Sequence, residues 1–160
     1  MIDQQAQATV PTSPLGRPVL VATDFSPFSE AALDAAIDQA RERNAELVIA
    51  HVYPQPAKSA LDDLFVPGLS DEIEAATCAE ALRKLEPLLA LARAAGVNAR
   101  AVALEGAAGG MILESARTLN AAVVVIGTHG RRGVRRLLLG SVAAKIVAGA
   151  PCPVLTVRPA

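Results

Sequence analysis

Hydrophobic and polar positions follow two alternating periods along the chain from Pro18 onward. Five short segments, most of them apolar throughout, are typical of strands whose two faces are both buried. They comprise residues 19–22, 46–52, 100–104, 121–126 and 154–157. Between these segments apolar residues recur at helical spacing, so the pattern predicts alternating strands and helices.

Helix boundaries are indicated by residues suited to helix ends. The first helix begins at Ser26-Pro27, where a hydroxyl can accept an amide hydrogen and proline suits the first turn. Its apolar stripe comprises Ala32, Leu33, Ala36, Ile37 and Ala40. A second helical tract over 71–95 contains Pro87, which is expected to kink or split it. Further helices are predicted over 111–119 and 141–148.

The alternation of strands and helices implies right-handed crossovers and a largely parallel sheet with helices on both faces. The predicted fold class is therefore α/β, a single doubly wound domain. Ligands of such sheets bind beyond the carboxyl ends of the strands, where the strand order reverses. A site is therefore expected in the loops that follow the first and fourth strands.

Length and charge exclude several classes of protein. A chain of 160 residues suits one hydrophobic core, because it can bury roughly 68–70% of its unfolded surface. Lys and Arg number 15 against 16 Asp and Glu, which argues against a protein that coats nucleic acid or an anionic membrane face. No apolar run approaches the roughly 20 residues of a membrane helix, and no secretory signal is visible. The sequence predicts a soluble cytoplasmic domain.

Two segments and two cysteines lie outside this core pattern. The polar residues 1–17 predict a flexible N-terminal arm ahead of a domain over 18–160. Residues 53–70 contain three prolines and predict a long variable loop, either a lid or a disordered segment. Cys78 and Cys152 are too few for a disulfide framework, and both are expected to be buried structural thiols.

The loop after the fourth strand carries residues suited to phosphate binding. It runs from Gly127-Thr-His-Gly130 to Gly140-Ser141. Glycines let main-chain N–H groups approach an anion, and the start of the following helix favours a phosphate. Glycines after a strand also form ordinary tight turns, so a phosphate cradle and a plain turn are both consistent with the pattern. Neither a Walker-type loop nor a dinucleotide-binding glycine motif is present.

Four arginines and no acidic residue lie between Gly130 and Gly140. The arginines could hold the terminal phosphates of a ligand, form a solvated face or attract an acidic partner. Nucleic-acid binding is not favoured, because no aromatic residues that could stack on bases accompany them. The four residues are Arg131, Arg132, Arg135 and Arg136.

Three sets of motifs occur in order along the chain. The first comprises VLVATDFS over 19–26 and AHV over 50–52, the second is G127-x2-G130-x9-G140-S141, and the third is the PVLTV strand near the C-terminus. Together they resemble the universal stress protein family, whose nucleotide-binding motif has the same glycine spacing. The resemblance covers residues 17–159.

This resemblance implies a five-stranded parallel sheet of order 3-2-1-4-5 and a homodimer that pairs residues 154–157 of two subunits. It also implies bound ATP, with Mg²⁺ or Mn²⁺ as a candidate metal. Main-chain groups near Ala22 and Val52 would flank the adenine, and Asp24 would lie near the ribose or the phosphates. The residues expected to bind the nucleotide are Ala22, Thr23, Asp24, Ser26, Val52, Ile126, Gly127, His129, Gly130, Arg131, Gly140, Ser141 and Val142.

Four residues have competing interpretations. Asp24 could contact a ligand or only form the turn before the first helix. Ser141 could donate to a phosphate, and it is expected to cap its helix. His129 could titrate near neutrality, but a single histidine without a nucleophile or a metal cluster is a weak case for catalysis. His51 is interpreted as a core residue whose polar atoms are satisfied.

The residues leave three functions open. The first is a nucleotide-binding regulatory module without catalytic residues, whose ligand is ATP, AMP or cyclic AMP. The second is a slow ATPase. ATP-pyrophosphatases of related architecture carry an S-G-G-x-D-S loop after the first strand, and the segment ATDFS over 22–26 argues against their chemistry. The third is a structural dimer that acts through a protein partner.

Overall fold

The structure, a computed structural model, describes residues 16–54, 69–129 and 139–159. In these residues strands and helices alternate, as the hydrophobic pattern predicts. The elements are β1 (Gly16–Ala22), α1 (Pro27–Glu42), β2 (Ala45–Tyr53), α2 (Leu69–Ala94), β3 (Ala99–Glu105), α3 (Ala108–Thr118), β4 (Val123–Gly127), α4 (Ser141–Gly149) and β5 (Val154–Val157). Among the described helices, none is both long and apolar enough to cross a membrane.

The five strands form one sheet of order β3-β2-β1-β4-β5. Every neighbouring pair is parallel. From β1 the chain adds β2 and β3 on one side of the sheet and then crosses back to place β4 on the other side of β1. The strand order therefore reverses between β1 and β4, and the α/β fold class and strand order predicted from the sequence are confirmed.

Both faces of the sheet are covered, which explains why the strands are continuous apolar runs. Side chains alternate between the faces along each strand, so each strand supplies residues to two cores. The core beneath α1 and α2 includes Val19, Val21, Leu47, Ile49 and Val125, and the core beneath α3 and α4 includes Leu20, Val48, Ala50, Val124 and Ile126. Each fully buried Val, Leu or Ile contributes roughly 1.5–3 kcal/mol to stability.

The sheet begins earlier in the chain than the sequence predicted. Strand β1 starts at Gly16, so the last two residues of the predicted arm belong to the sheet. The Arg17 guanidinium donates from Nε to the Asn120 carbonyl at 2.9 Å and from Nη2 to the Ala121 carbonyl at 2.8 Å. These bonds tie the start of β1 to the turn before β4. The rest of the predicted arm, and most of the predicted loop over 53–70, lie outside the described residues.

Two helices differ from their predicted forms. Helix α2 is continuous with Pro87 inside it, so of the two predicted outcomes the split is wrong, and a kink at Pro87 stays a prediction. Pro87 leaves the Arg83 carbonyl without its helical donor, and both residues are exposed, so water can bond that carbonyl. Helix α3 begins at Ala108, before the predicted start at residue 111, and so includes Gly109 and Gly110. At Gly109 a Cβ atom would lie 2.8 Å from Lys145 Cδ, so the lysine side chain of α4 packs closely against this turn of α3.

Candidate functional site

Strand β1 ends before both of its neighbours do at the carboxyl edge of the sheet. It ends at Ala22, which pairs with Ala50, whereas β2 continues to Tyr53. On the other side Val21 pairs with Val125, and β4 continues to Gly127. The early end of the central strand leaves a gap, which we call the notch, bounded by the ends of β1, β2 and β4. The notch lies where the strand order reverses, the position at which such sheets bind ligands.

The main chain of Val52 faces the notch. The Thr23 N–H donates to the Ala50 carbonyl at 2.9 Å, so the main-chain groups of Ala50 point toward β1. Successive residues of a parallel strand direct these groups to opposite sides, so the N–H and C=O of Val52 point the same way as those of Ala50. Because β1 has ended at this level, Val52 presents one donor and one acceptor beside each other to a ligand.

Apolar side chains cover the sheet next to the notch. Ile126 is buried in the core beneath α3 and α4. Three partly buried residues at this end of the sheet pack against the same core. These residues are Ala22, Val52 and Leu139. The surface suits a flat, weakly polar group such as a nucleobase, because an apolar pocket with a few placed polar groups is typical of small-molecule sites.

The turn between β1 and α1 is fixed by its own hydrogen bonds. Asp24 Oδ1 accepts from the Ser26 N–H at 3.1 Å, and Ser26 Oγ accepts from the Ser29 N–H at 3.4 Å. Thr23 Oγ1 accepts from the Phe25 N–H at 3.0 Å and donates to Ser29 Oγ at 3.1 Å. Asp24 therefore does form the turn, one of the two roles that the sequence allowed. Its contact with a ligand stays a prediction.

Phe25 adopts a backbone conformation that non-glycine residues rarely use. Its φ is +62°, which costs on the order of 1–3 kcal/mol for a side chain of this kind. The Phe25 ring lies against the ring of His51, with centroids 4.4 Å apart. This contact, together with the hydrogen bonds of the turn, holds the strained residue in place.

His51 also contacts the turn through a hydrogen bond. Its Nδ1 lies 2.8 Å from the Thr23 carbonyl oxygen. A carbonyl only accepts, so Nδ1 is the donor in this bond. The prediction that the polar atoms of His51 are satisfied is confirmed for Nδ1, although the side chain is only half-buried.

His129 follows β4 and is buried, with 7% of its surface exposed. Its Nδ1 lies 3.1 Å from Thr128 Oγ1, and its ring centroid lies 5.2 Å from that of Phe28. No three His, Cys, Asp or Glu side chains lie together as a metal site within residues 16–54, 69–129 and 139–159.

The first turn of α4 leaves main-chain donors available. Gly140 is the N-cap, with φ −68° and ψ 157°, and no side chain caps the helix. The prediction that Ser141 caps the helix is wrong, because Ser141 is already the first helical residue. Helix α1, in contrast, is capped by the Ser26 hydroxyl. Uncapped N–H groups at the positive end of a helix, with no acid in the first turn, favour an anion.

The end of β4 holds α4 close to the notch. The Gly140 N–H donates to the Thr128 carbonyl at 2.7 Å. A Cβ atom at Gly140 would lie 3.3 Å from that same oxygen, so glycine allows this approach. The sequence did not single out Thr128, because only its backbone makes the contact. The first turn of α4 therefore lies beside the residues that follow Gly127.

Gly127 has a packing role that the glycine motif did not reveal. A Cβ atom at this position would lie 2.8 Å from the carbonyl carbon, the carbonyl oxygen and the Cβ of Phe28. The first turn of α1 thus packs directly on the end of β4. The lack of a side chain at Gly127 is needed for this contact, whether or not a ligand is present.

Most of the predicted site residues lie at the carboxyl edge of the sheet. The structure places these residues on the ends of β1, β2 and β4, in the segments that directly follow β1 and β4, or at the N-cap and first turn of α4: Ala22, Thr23, Asp24, Ser26, Val52, Ile126, Gly127, His129, Gly140, Ser141 and Val142. Gly130 and Arg131, with the other three arginines of the loop, lie outside the described residues. Their roles stay predictions.

Tyr53 ends β2 next to Val52, and its phenol is buried. Burial, followed by a hydrogen bond with Cys78 and by the negative charges of Glu105 and Glu74, raises the pKa of Tyr53 to about 12. The phenol is therefore neutral at physiological pH. It packs the end of β2 against α2.

The two cysteines are free and half-buried, so the prediction that they are buried thiols is wrong in degree. Burial raises the pKa of Cys152, and the nearby Arg17 opposes that effect only in part. A raised pKa keeps the thiol protonated and lowers its reactivity. This agrees with a structural role for Cys152.

Comparisons with known proteins identify relatives of this chain. The model of the Universal stress protein family matches residues 16–158. Universal stress protein YxiE of Bacillus subtilis is 36% identical over 144 residues, which are 88% of this chain and 97% of that protein. The solved structure of UspA from Lactobacillus plantarum shares the fold, with a TM-score of 0.76, 23% identity and coverage of 91% of this chain and 100% of that chain.

A second solved structure adds information on ligands. It is a universal stress protein in complex with cAMP, 28% identical, with a TM-score of 0.61 and coverage of 89% of this chain and 96% of that chain. That protein binds an adenine nucleotide on a fold which this chain shares.

Proposed function

The chain belongs to the universal stress protein family, and we propose that it is a nucleotide-binding regulatory module that holds ATP in the notch. One observation carries this proposal. The main-chain donor and acceptor of Val52 and the uncapped first turn of α4 lie at the same edge of the sheet, at the point where the strand order reverses. The first suits a base and the second suits phosphates.

The adenine would lie between the ends of β1 and β2. The N–H and C=O of Val52 offer the pair of hydrogen bonds that one edge of adenine requires, and Ala22 and Ile126 offer apolar contacts. Asp24 would lie near the ribose, because a carboxylate accepts hydrogen bonds from hydroxyls and repels phosphates. Its Oδ1 is already bonded to the Ser26 N–H, so Asp24 is held in one place.

The phosphates would lie at the first turn of α4. The main-chain N–H groups of Ser141 and Val142 are the proposed donors there, with Gly127, His129 and Gly140 beside them. Gly130 and Arg131 are proposed as further contacts from the family resemblance. Four arginines within ten residues favour a triphosphate over a single phosphate, because each added charge on the ligand gains from them. Mg²⁺ or Mn²⁺ would be held chiefly by the phosphates.

The relative that binds cAMP supports an adenine nucleotide as the ligand. Binding would bias the protein toward the conformation with higher affinity for the nucleotide, and this change in population is the proposed regulatory signal. Because ATP is an intracellular nucleotide, we place the protein in the cytoplasm.

Calorimetry with ATP, with and without Mg²⁺, tests the proposal. We expect binding heat and a rise in melting temperature, since a ligand that binds only the folded state stabilises it. AMP and cyclic AMP, titrated in parallel, would show whether the triphosphate is preferred. Mass spectrometry of nucleotide carried through purification gives an independent result. Absence of both heat and stabilisation at millimolar ATP would refute the proposed function.

We also propose that the protein is a homodimer that pairs the outer edge of β5 with that of a second copy. The Val124 N–H donates to the Pro153 carbonyl and the Thr128 N–H to the Val157 carbonyl. The carbonyls of Pro153 and Val157 therefore face β4. By alternation the main-chain groups of Val154 and Thr156 face outward. An edge strand of this kind can pair with another chain.

A further inference from the structure

We propose that His51 is a positioning residue for the nucleotide site, because its imidazole takes over the Thr23 carbonyl and leaves the Val52 N–H to the ligand. His51 is absent from the set of residues predicted to contact the nucleotide. The proposal rests on the proposed function, since it assigns His51 a role in forming the notch. It is carried by the hydrogen bonds at the point where β1 and β2 cease to pair.

The pairing of β1 and β2 stops at Thr23, where a continuing parallel ladder would form one more main-chain hydrogen bond. The last pair is Ala22 with Ala50, and the Thr23 N–H still donates to the Ala50 carbonyl at 2.9 Å. In a continuing ladder the Thr23 carbonyl would next accept from the Val52 N–H. Instead this carbonyl accepts from His51 Nδ1 at 2.8 Å. A side chain of β2 thus replaces a main-chain group of β2.

This replacement has two consequences for the notch. The Thr23 carbonyl is satisfied without the Val52 amide, so it does not compete with a ligand for that donor. The chain after Thr23 is also free to turn away from β2 and enter α1, which begins four residues later at Pro27. The same turn carries Asp24, so the position of this carboxylate depends on the anchor at Thr23.

The ring of His51 supports the turn a second time. The centroid of the His51 ring lies 4.4 Å from that of the Phe25 ring. The φ of Phe25, +62°, is disfavoured for a non-glycine residue. The Phe25 N–H, which would otherwise point toward β2, donates to Thr23 Oγ1 at 3.0 Å. His51 therefore contacts the turn on both sides of Asp24, through Thr23 and through Phe25.

The hydrogen bond fixes one tautomer of the neutral imidazole. Because the Thr23 carbonyl only accepts, the proton lies on Nδ1 and Nε2 is bare. Nitrogen chemical shifts of the ring distinguish this tautomer from the one protonated on Nε2. This readout concerns His51 itself and does not depend on nucleotide.

Two substitutions separate the hydrogen bond from the ring contact. His51→Asn keeps an N–H donor at the position of Nδ1 and loses the ring, whereas His51→Phe keeps a ring against Phe25 and loses the donor. We expect His51→Phe to raise the Kd for ATP about tenfold, as for the loss of one hydrogen bond, and His51→Asn to raise it no more than about threefold. Val123→Ala, a buried change at the opposite end of β4, should lower the melting temperature without changing the Kd.

The outcomes discriminate clearly. Unchanged ATP binding in His51→Phe, equal weakening in both His51 variants, or a neutral ring protonated on Nε2 would each overturn the proposal. If the wild-type protein binds no ATP, the proposed function fails and this inference fails with it. If the wild-type protein binds and His51→Phe binds equally well, only this inference fails. Should His51→Phe not fold, the tautomer and His51→Asn still decide it.

Discussion

At the scale of single residues, small side chains decide how closely the backbone segments around the notch approach one another. Gly127 allows the first turn of α1 to pack on the end of β4, and Gly140 allows the first turn of α4 to bond the Thr128 carbonyl. Both contacts are made between residues of this chain and need no ligand. Glycines of a ligand-binding motif can therefore be required for the fold even before a ligand binds.

Gly127→Ala tests the packing role. The added Cβ would lie 2.8 Å from three atoms of Phe28, two of them backbone, so α1 must shift. We expect the free energy of unfolding to fall by about 1–3 kcal/mol, as for other overpacked sites, in urea denaturation without nucleotide. Gly110→Ala is the control, because its Cβ meets nothing within 4 Å and alanine favours a helix. Equal stability of the two variants would contradict the packing role.

Tyr53 gives a second prediction at this scale. Its pKa is raised to about 12 in the folded protein, chiefly by burial, against about 10 in an unfolded chain. The stability it contributes is fully present below about pH 10 and is lost as the pH rises toward the folded pKa. Because the chain has one Tyr and no Trp, near-ultraviolet absorbance follows this single phenol.

The alkaline titration of Tyr53 should therefore have a higher midpoint in the folded protein than in urea. Cys78→Ala should lower the folded midpoint only in part, because burial is a larger cause than the hydrogen bond to Cys78. A folded midpoint equal to that in urea would show that the phenol is not buried as described.

At the scale of elements, α4 combines a short length with an open N-terminus. It spans Ser141–Gly149, and the Arg117 guanidinium donates to the Gly149 carbonyl at 3.3 Å. Leu113 packs against Gly149, where a Cβ atom would lie 3.0 Å from Leu113 Cδ1. These contacts with α3 hold the far end of α4. The near end is left with main-chain donors that point toward the proposed phosphates.

Ser141→Pro tests whether those donors bind phosphate. Proline suits the first helical position, and the extended ψ of 157° at Gly140 suits a residue before proline, so the helix should persist. The substitution removes the N–H of residue 141 together with the hydroxyl, whereas Ser141→Ala removes only the hydroxyl. We expect Ser141→Pro to weaken ATP binding about tenfold more than Ser141→Ala by calorimetry. Equal affinities would exclude that amide as a phosphate contact.

Elements with continuous apolar runs were predictable, because strands buried on both faces need no alternation. The sequence could not show that Pro87 sits within an unbroken helix, since this depends on the exposure of the carbonyl one turn earlier. Nor could it show that Gly140, rather than Ser141, is the N-cap. The role of His51 was hidden for a similar reason, because its partner is the backbone carbonyl of Thr23, in the turn after another strand.

At the scale of the whole molecule, the two outer strands differ in the length over which they pair with the rest of the sheet. Strand β3 pairs with β2 over seven residues, whereas β5 pairs with β4 over four. Leu155 of β5 remains 37% exposed despite its position in the sheet. The short outer strand with an exposed apolar residue is the proposed contact between two copies of the chain.

Thr156→Pro tests that contact. The main-chain N–H of Thr156 faces away from β4, so proline removes an outward donor and leaves the bonds to β4 intact. We expect sedimentation to show a dimer for the wild-type protein and for Thr156→Val, which keeps the amide, and a folded monomer for Thr156→Pro. A monomeric wild-type protein, or a dimeric Thr156→Pro variant, would refute the proposed dimer.

The early end of β1 leaves the tips of β2 and β4 without a central strand to join them. A nucleotide bound between those tips would fill the space that further residues of β1 would have occupied, and would join the two tips. Its departure would let the two tips fray independently. Hydrogen exchange at the Val52 amide would then report directly whether the notch is occupied, because exchange is slow when the nucleotide is bound and fast when it is absent.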